Sequence, residues 1–237
     1  MPQPMSRVFP RGRENYSPTA ALEYPHLVSY VHTVLQAWAT ADAHLTGQAA
    51  HFLKADFKTV IAMMDALKSA DAKRAAQKAA ARAGLNDDEF LLYEAILKAT
   101  KPSRDRRNEF AHHLWGVSAD VPNALLLAPP EKIISTQANA ARFDAFTKTK
   151  NTQHLDTTFS HGEAMVYRET DLRQSAEEAE QAVYVIVMFT HLLRSDVIYR
   201  ATLIREQIRL QICNNPQVRQ ALDTLSRRRA TRSQTTA

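Results

Sequence analysis

The sequence predicts a mainly α protein that carries a small β insertion ahead of a long last helix. Apolar residues recur at three-and-four spacing over most of the chain, which is the period of an amphipathic helix. Glycine is scarce, with five in 237 residues, and four of the five fall between the patterned segments. Because glycine weakens helix interiors and is favoured at their ends, this placement indicates helices. One stretch, 117–168, instead carries the short apolar runs that are typical of strands.

Residues 21–116 are predicted to form the first part of a helical bundle, after a flexible N-terminal arm over residues 1–20. The ranges 22–44 and 49–83 each carry an apolar stripe at helical spacing and are separated by Gly47. The arm contains charges and prolines without an apolar core, so we expect no secretion signal.

The helix that follows is predicted from its end signals. Asn86 followed by Glu89 fits a capping box, in which each side chain satisfies a free backbone amide of the first turn. Pro102 is expected to end or kink this helix, because proline lacks the amide proton and clashes with the preceding turn. Ser103 can cap the next helix, and Gly116 is a natural stop for it.

Residues 117–168 are predicted to form a β-hairpin or three-stranded insertion. The apolar runs 123–128 and 132–135 flank a Pro-Pro turn, which indicates a hairpin, and 164–168 has the pattern of a third strand. A short helix is compatible with 138–146. The insertion therefore separates the first part of the bundle from the last helix.

A long last helix is predicted over residues 169–214, where it completes the bundle. Ser175 with Glu178 forms a second capping box, and the helical stripe continues to the Asn-Asn-Pro stop. Such a helix is long enough to pack on a second subunit. Residues 215–237 are predicted to be a basic, flexible tail.

Composition excludes several classes of function. The single cysteine, Cys213, rules out an internal disulfide framework and a Cys-rich zinc site. No HExxH, GxGxxG or Walker loop is present, so we expect neither a metal nor a cofactor. No apolar run approaches the roughly 20 residues that a membrane span needs. We therefore expect a cytoplasmic protein without a membrane partner.

The net charge of +5 is unevenly distributed. Residues 1–20 carry +2 and residues 219–237 carry +4, which leaves −1 for the stretch between them. A basic chain often binds nucleic acid, but here the excess lies in the two terminal segments and the central part is almost neutral. Net charge alone therefore does not predict an RNA-binding protein.

One ten-residue segment, RDRRNEFAHH from Arg104 to His113, concentrates the side chains that carry chemistry. On a helix, Arg104, Asn108 and His112 are spaced four apart and share a face. Arg107 stands on the neighbouring stripe, and its long side chain can reach the imidazole. The set combines an arginine guanidinium, which is always positively charged, with an asparagine amide that can orient a ring. It also contains histidine, the residue type that exchanges protons near neutral pH. Phosphodiester cleavage needs these parts.

This segment resembles the motif of the HEPN superfamily, the higher eukaryotes and prokaryotes nucleotide-binding domains. That motif places Arg before a polar residue, often Asn, with His four to six residues after the Arg. Here it reads RNEFAH, from Arg107 to His112. The resemblance implies an up-and-down helical bundle with the motif at one helix end. The predicted helices of 22–116 and 169–213 are similar to that fold, whereas the β insertion departs from the compact family members.

The resemblance also implies a metal-independent endoribonuclease. In such enzymes the 2′-OH of RNA attacks the adjacent phosphorus and leaves a 2′,3′-cyclic phosphate and a 5′-OH. By this resemblance His112 is the general acid/base, Arg107 stabilises the phosphoryl oxygens, and Asn108 orients His112 or the phosphate. The usual family assembly is a two-fold homodimer with a composite site, so RNA and a second copy are the expected partners.

The flanking residues are secondary candidates for substrate binding. Arg104 and Arg106 can contact neighbouring phosphates, or instead form a solvated face paired with Asp105 or Glu109. His113 points about 100° away from its neighbour on a helix, so it can equally be a packing or capping residue.

A second class of function stays open. Many HEPN domains cleave nothing, and instead bind nucleotides, dimerise, or act as the partner of a nucleotidyltransferase in a toxin–antitoxin pair. An intact Arg-Asn-x3-His motif favours catalysis, because a scaffold has no chemical need for both groups. The expected role is then a toxin or defence effector, with an antitoxin as a further partner. A helical adaptor that works through the β insertion is a third hypothesis.

Overall fold

A computed structural model describes residues 1–9, 14–16, 19–131, 164–198 and 202–235. Over these residues the chain is mainly helical and contains a four-stranded antiparallel sheet, which confirms the predicted class at that level. In chain order the helices are α1 (Met5–Val8), α2 (Pro25–Leu53), α3 (Phe57–Ala66), α4 (Ala70–Gly84), α5 (Asp87–His112), α6 (Glu169–Ile198), α7 (Thr202–Asn214) and α8 (Pro216–Thr235), with a 3-10 turn at Ala20–Glu23.

The chain forms two compact units. The first, called the sheet unit here, comprises residues 1–35 and 105–177, and the second, the helical unit, comprises residues 36–104 and 178–237. Each unit is assembled from two separate stretches of chain. The division therefore falls inside the predicted segment 21–116 rather than at its ends.

The sheet has the strand order β1-β4-β3-β2, with β1 at Gln3–Pro4, β2 at Leu114–Gly116, β3 at Ala124–Ala128 and β4 at Met165–Arg168. Strand β3 lies between β2 and β4 and is buried along its whole length. The predicted strands 123–128 and 164–168 are thus present. The predicted strand 132–135 and the short helix at 138–146 lie outside the described residues.

The start of the chain belongs to the fold, contrary to the predicted flexible arm. Gln3 and Pro4 pair with β4, and Met5 is completely buried in the core of the sheet unit. The amino group of Met1 forms an ion pair with Asp171 at 2.8 Å. A strand of two residues is too short to show the alternation by which strands are recognised, so the sequence carries no signal for it.

Helix α5 is one helix where the sequence predicts two. Its capping box is confirmed: the Asn86 side chain accepts from the backbone amide of Glu89 at 3.0 Å, and Glu89 accepts from that of Asn86 at 3.4 Å. The helix then continues through Pro102. Ser103 does not cap a new helix; it is buried and accepts a hydrogen bond from the Trp38 indole at 3.0 Å.

Gly116, the predicted helix stop, lies in β2, because α5 already ends at His112. Two other predicted helix boundaries lie inside helices. Gly47 lies inside α2 rather than between two helices. Ser175 lies inside α6, which begins at Glu169, and its hydroxyl donates to the carbonyl of Asp171 at 2.8 Å instead of capping. Both errors arise because a residue that favours helix ends is also tolerated inside a helix whose packing stabilises it.

The C-terminal region is helical where the sequence predicts a flexible tail. The predicted helix 169–214 is described as α6 and α7, with residues 199–201 outside the described part. Asn215 then caps α8, since its side chain accepts from the backbone amides of Gln217 and Val218 at 3.0 and 3.2 Å. Pro216 occupies the first helical position, where its missing amide proton has no consequence. Val218 and Ala221 are buried and anchor the helix.

The core of the helical unit contains a group of packed aromatic rings and a buried polar link. The Tyr93 ring contacts Phe52 and Phe189, at centroid distances of 5.3 and 5.7 Å. The Gln48 amide donates to the carbonyl of Ile186 at 2.9 Å and to the hydroxyl of Thr190 at 3.0 Å. These bonds join α2 to α6. No helix in the described part of the chain combines the length and hydropathy that a membrane crossing requires.

Alanine substitutions at two glycines of the helical unit are expected to change stability in opposite directions. A Cβ on Gly84 would lie 2.3 Å from the carbonyl oxygen of Phe52, so Gly84→Ala must push two backbones apart. We expect it to lower the free energy of unfolding by about 1–3 kcal/mol. A Cβ on Gly47 would meet only a ring carbon of Phe57, at 3.7 Å.

Gly47→Ala is therefore expected to raise the free energy of unfolding by about 0.5–1 kcal/mol, through its better helix propensity. Urea unfolding followed by circular dichroism measures both variants. Equal effects of the two substitutions would contradict the close approach of Gly84 to Phe52.

Candidate functional site

The predicted motif lies in the last turns of α5, within the sheet unit. Arg107 and Asn108 are half-buried, whereas His112 is exposed and is the last residue of the helix. Basic side chains are favoured at this end because the last carbonyl groups carry partial negative charge. The helix thus presents His112 at the surface, with Arg107 and Asn108 partly covered.

Arg107 and Asn108 are in direct contact. The Nη1 atom of Arg107 donates a hydrogen bond to Oδ1 of Asn108, at 3.1 Å. On an α-helix these neighbours point about 100° apart, while Asn108 and His112 point only about 40° apart. The hydrogen bond therefore draws the guanidinium around the helix toward the face that carries His112.

His112 is accessible and is not committed to a structural bond. Across the residues that the structure describes, no group hydrogen-bonds or forms an ion pair with its imidazole. A histidine that holds a fold together normally has such a partner, because buried polar groups are almost always satisfied. The ring is thus available to a ligand.

An aromatic cluster fixes the end of α5 to the sheet; Phe110 and Tyr167 are buried in it, and Trp115 is half-buried. Phe110 lies 5.1 Å from Trp115 and 5.3 Å from Tyr167, ring centroid to ring centroid, in edge-to-face arrangements. The Trp115 indole also donates to the carbonyl of Phe110 at 3.1 Å. Trp115 lies in β2 and Tyr167 in β4, so the sheet positions the helix turn that carries the motif.

Arg106 packs on this cluster and does not project toward the motif face. Its guanidinium lies 5.8 Å from the centroid of the Tyr167 ring. The Tyr167 hydroxyl donates to Oε2 of Glu109 at 3.5 Å. Burial, with a smaller contribution from Glu109, raises the pKa of Tyr167 to about 12, although Arg106 acts in the opposite direction. The sequence could not reveal Tyr167 as a neighbour of α5.

The other two flanking candidates have different surroundings. Arg104 belongs to the helical unit, where it lines a cavity. His113 follows the end of α5 and is half-buried, and its backbone amide donates to the carbonyl of Glu109 at 2.9 Å. The candidate site therefore comprises Arg107, Asn108 and His112.

The described residues contain no cluster of three His, Cys, Asp or Glu side chains that could hold a metal ion. Comparisons of the chain with protein-family models, with curated proteins and with solved structures find no match.

Proposed function

We propose that this protein is a metal-independent endoribonuclease of the HEPN type that acts through Arg107, Asn108 and His112. The observation that supports this most is the His112 imidazole, which is exposed, bonded to no described group, and one helical turn from the bonded Arg107–Asn108 pair. An accessible imidazole one helical turn from a guanidinium is suited to moving a proton while negative charge develops nearby.

In the proposed reaction, His112 accepts the proton of the 2′-OH as that oxygen attacks the adjacent phosphorus. Arg107 stabilises the charge on the phosphoryl oxygens through its planar fork. Asn108 accepts from Arg107 and so holds the guanidinium on the side of His112. The 5′-oxygen leaves as a hydroxyl after gaining a proton, and the other product ends in a 2′,3′-cyclic phosphate.

The proposal includes a homodimer, because one histidine does not easily serve both proton transfers. A two-fold axis places the same patch of each subunit in one interface, so the second copy can supply the second His112. The biological role that fits is a cytoplasmic toxin or defence effector controlled by an antitoxin or a nucleotidyltransferase partner.

The decisive test is cleavage of a mixed-sequence RNA by the purified chain in EDTA, with identification of the product ends. We expect 2′,3′-cyclic phosphate and 5′-hydroxyl ends. A matched RNA with 2′-O-methyl groups throughout must remain intact, because it lacks the attacking hydroxyl. Products with 5′-phosphate ends, or cleavage of the methylated RNA, would contradict the mechanism. RNA that is bound by a folded dimer but never cleaved would favour the non-catalytic binding module.

A further inference from the structure

The helical unit contains a cavity of about 570 Å³, outside the candidate site. Residues of α2, α3, α4 and α5 line it, together with the connection between α3 and α4. Sites for small molecules have volumes of about 300–1,000 Å³, are mostly apolar, and contain a few polar groups that orient the ligand. The lining residues of this cavity follow that description.

One part of the wall is apolar. It includes Leu45 and Met64, which are buried, and Phe57 and Ile61, which are 49% and 36% exposed. Large apolar side chains that stay accessible beside a cavity favour an apolar ligand, because covering them removes apolar surface from water.

Another part of the wall is cationic. Lys73 and Arg74 lie in the first turns of α4, and Lys68 lies in the connection just before it. Lys73 and Arg74 pair with the exposed carboxylates of Asp65 and Asp71, at 3.8 and 2.6 Å. Within the described chain Lys68 has no ion-pair partner. The charged side chains that line the cavity are Lys68, Lys73, Arg74 and Arg104 against Asp42 and Asp65, a formal net charge of +2.

Gln77 is a neutral polar residue of the wall that can orient a ligand. Gln77 lines the cavity, is only 8% exposed, and has no hydrogen-bond partner for its side chain among the described residues. The amide atoms of Gln77 are not among the polar atoms shut off from solvent, so they stay within reach of a ligand in the cavity. Gln77 stands four residues after Lys73 and three after Arg74, so all three share one face of α4. A ligand whose polar end lies at this face would satisfy the amide.

We propose that this cavity binds an amphipathic organic carboxylate with an acyl chain. The chain lies against Phe57, Ile61 and Met64, and the carboxylate accepts from Gln77 and pairs with Lys68. A single negative charge fits better than a phosphate ester, because Lys73 and Arg74 are already paired. The binding is independent of the proposed RNA cleavage, and the residues that carry it belong to the helical unit.

Isothermal titration calorimetry of the full chain with sodium decanoate, below its micelle concentration, tests this site. We expect saturable binding with one decanoate per chain. Decyltrimethylammonium has the same chain with the opposite charge, and acetate has the same charge without the chain. Neither should bind. Absence of decanoate binding up to 1 mM, or equal binding of decyltrimethylammonium, would overturn the proposal.

Two matched pairs of variants locate the binding. Ile61→Trp fills the cavity and is expected to abolish binding. Met63→Trp, on the same helix but outside the cavity, should leave decanoate binding unchanged. Lys68→Glu is expected to weaken binding about tenfold, whereas Lys58→Glu makes the same charge change away from the lining and should leave the affinity unchanged.

Lys68 is exposed, so its substitution should not disturb the fold. The comparison of Lys68→Glu with Lys58→Glu therefore stays informative if a tryptophan variant fails to fold. Unchanged affinity in Lys68→Glu, or unchanged binding in a folded Ile61→Trp, would place the decanoate elsewhere and refute this site. RNA cleavage should be the same in all four variants, so failure of this proposal and failure of the proposed function are separable.

Discussion

Replacing His112 with alanine is expected to lower the rate of RNA cleavage by about 10²–10⁴-fold, the usual contribution of a positioned general acid or base. The same substitution should leave the fold intact, because His112 is exposed, ends α5 and bonds to no described group. Its removal creates neither a core cavity nor an unsatisfied partner. A loss of activity at unchanged stability therefore reports on chemistry. Single-turnover cleavage in EDTA and thermal unfolding measure the two quantities.

His32→Ala is the matched control, because His32 is also exposed and also lies on a helix of the sheet unit. It should cleave RNA at the wild-type rate. Arg107→Lys adds a second comparison: it keeps the positive charge but loses the planar fork, so cleavage should fall although RNA binding persists. If His112→Ala cleaved as fast as the wild type, His112 would have no part in the reaction.

Local sequence signals were sufficient to predict some helix ends and one strand. The capping box at Asn86 and Glu89 predicts the start of α5 within one residue, since its hydrogen bonds involve only neighbouring residues. The continuous apolar run 124–128 predicts a strand, and every residue of β3 is buried. Such features depend on short stretches of sequence, and a single chain contains all the information for them.

Features that depend on distant contacts were not predictable. Pro102 and Ser103 predict a helix boundary, yet Ser103 is held inside α5 by the Trp38 indole, 65 residues away. Strand β1 has two residues and exists only because β4 offers an edge. In each case the deciding partner is absent from the local sequence.

The candidate site likewise has features that the local sequence predicts and features that depend on distant contacts. The type and spacing of Arg107, Asn108 and His112 are local, so the sequence could propose them together. Their surroundings are not: Tyr167 reaches Glu109 across 58 residues, and the contact depends on the pairing of the sheet. Helical spacing also groups Arg104 with Asn108, although the two belong to different compact units.

Phe110→Ala is expected to lower the free energy of unfolding by about 3–5 kcal/mol, the usual loss for a buried phenylalanine. Phe110 is 2% exposed and contacts the rings of both Trp115 and Tyr167. Phe57→Ala is the matched control; Phe57 is 49% exposed, so the loss should stay below about 1 kcal/mol. Urea unfolding of the two variants measures the difference.

Phe110→Ala also tests whether the aromatic cluster positions the candidate site. The alternative is that α5 alone holds the site residues in place. Phe110 stands between Asn108 and His112 in the sequence, and its ring fixes this turn to the sheet. If the cluster positions the motif, Phe110→Ala should slow RNA cleavage even at a temperature where the variant is fully folded. Phe110→Leu, which restores most of the lost volume, should then recover both stability and rate. Wild-type cleavage by a destabilised but folded Phe110→Ala would show that the geometry of the helix end is sufficient.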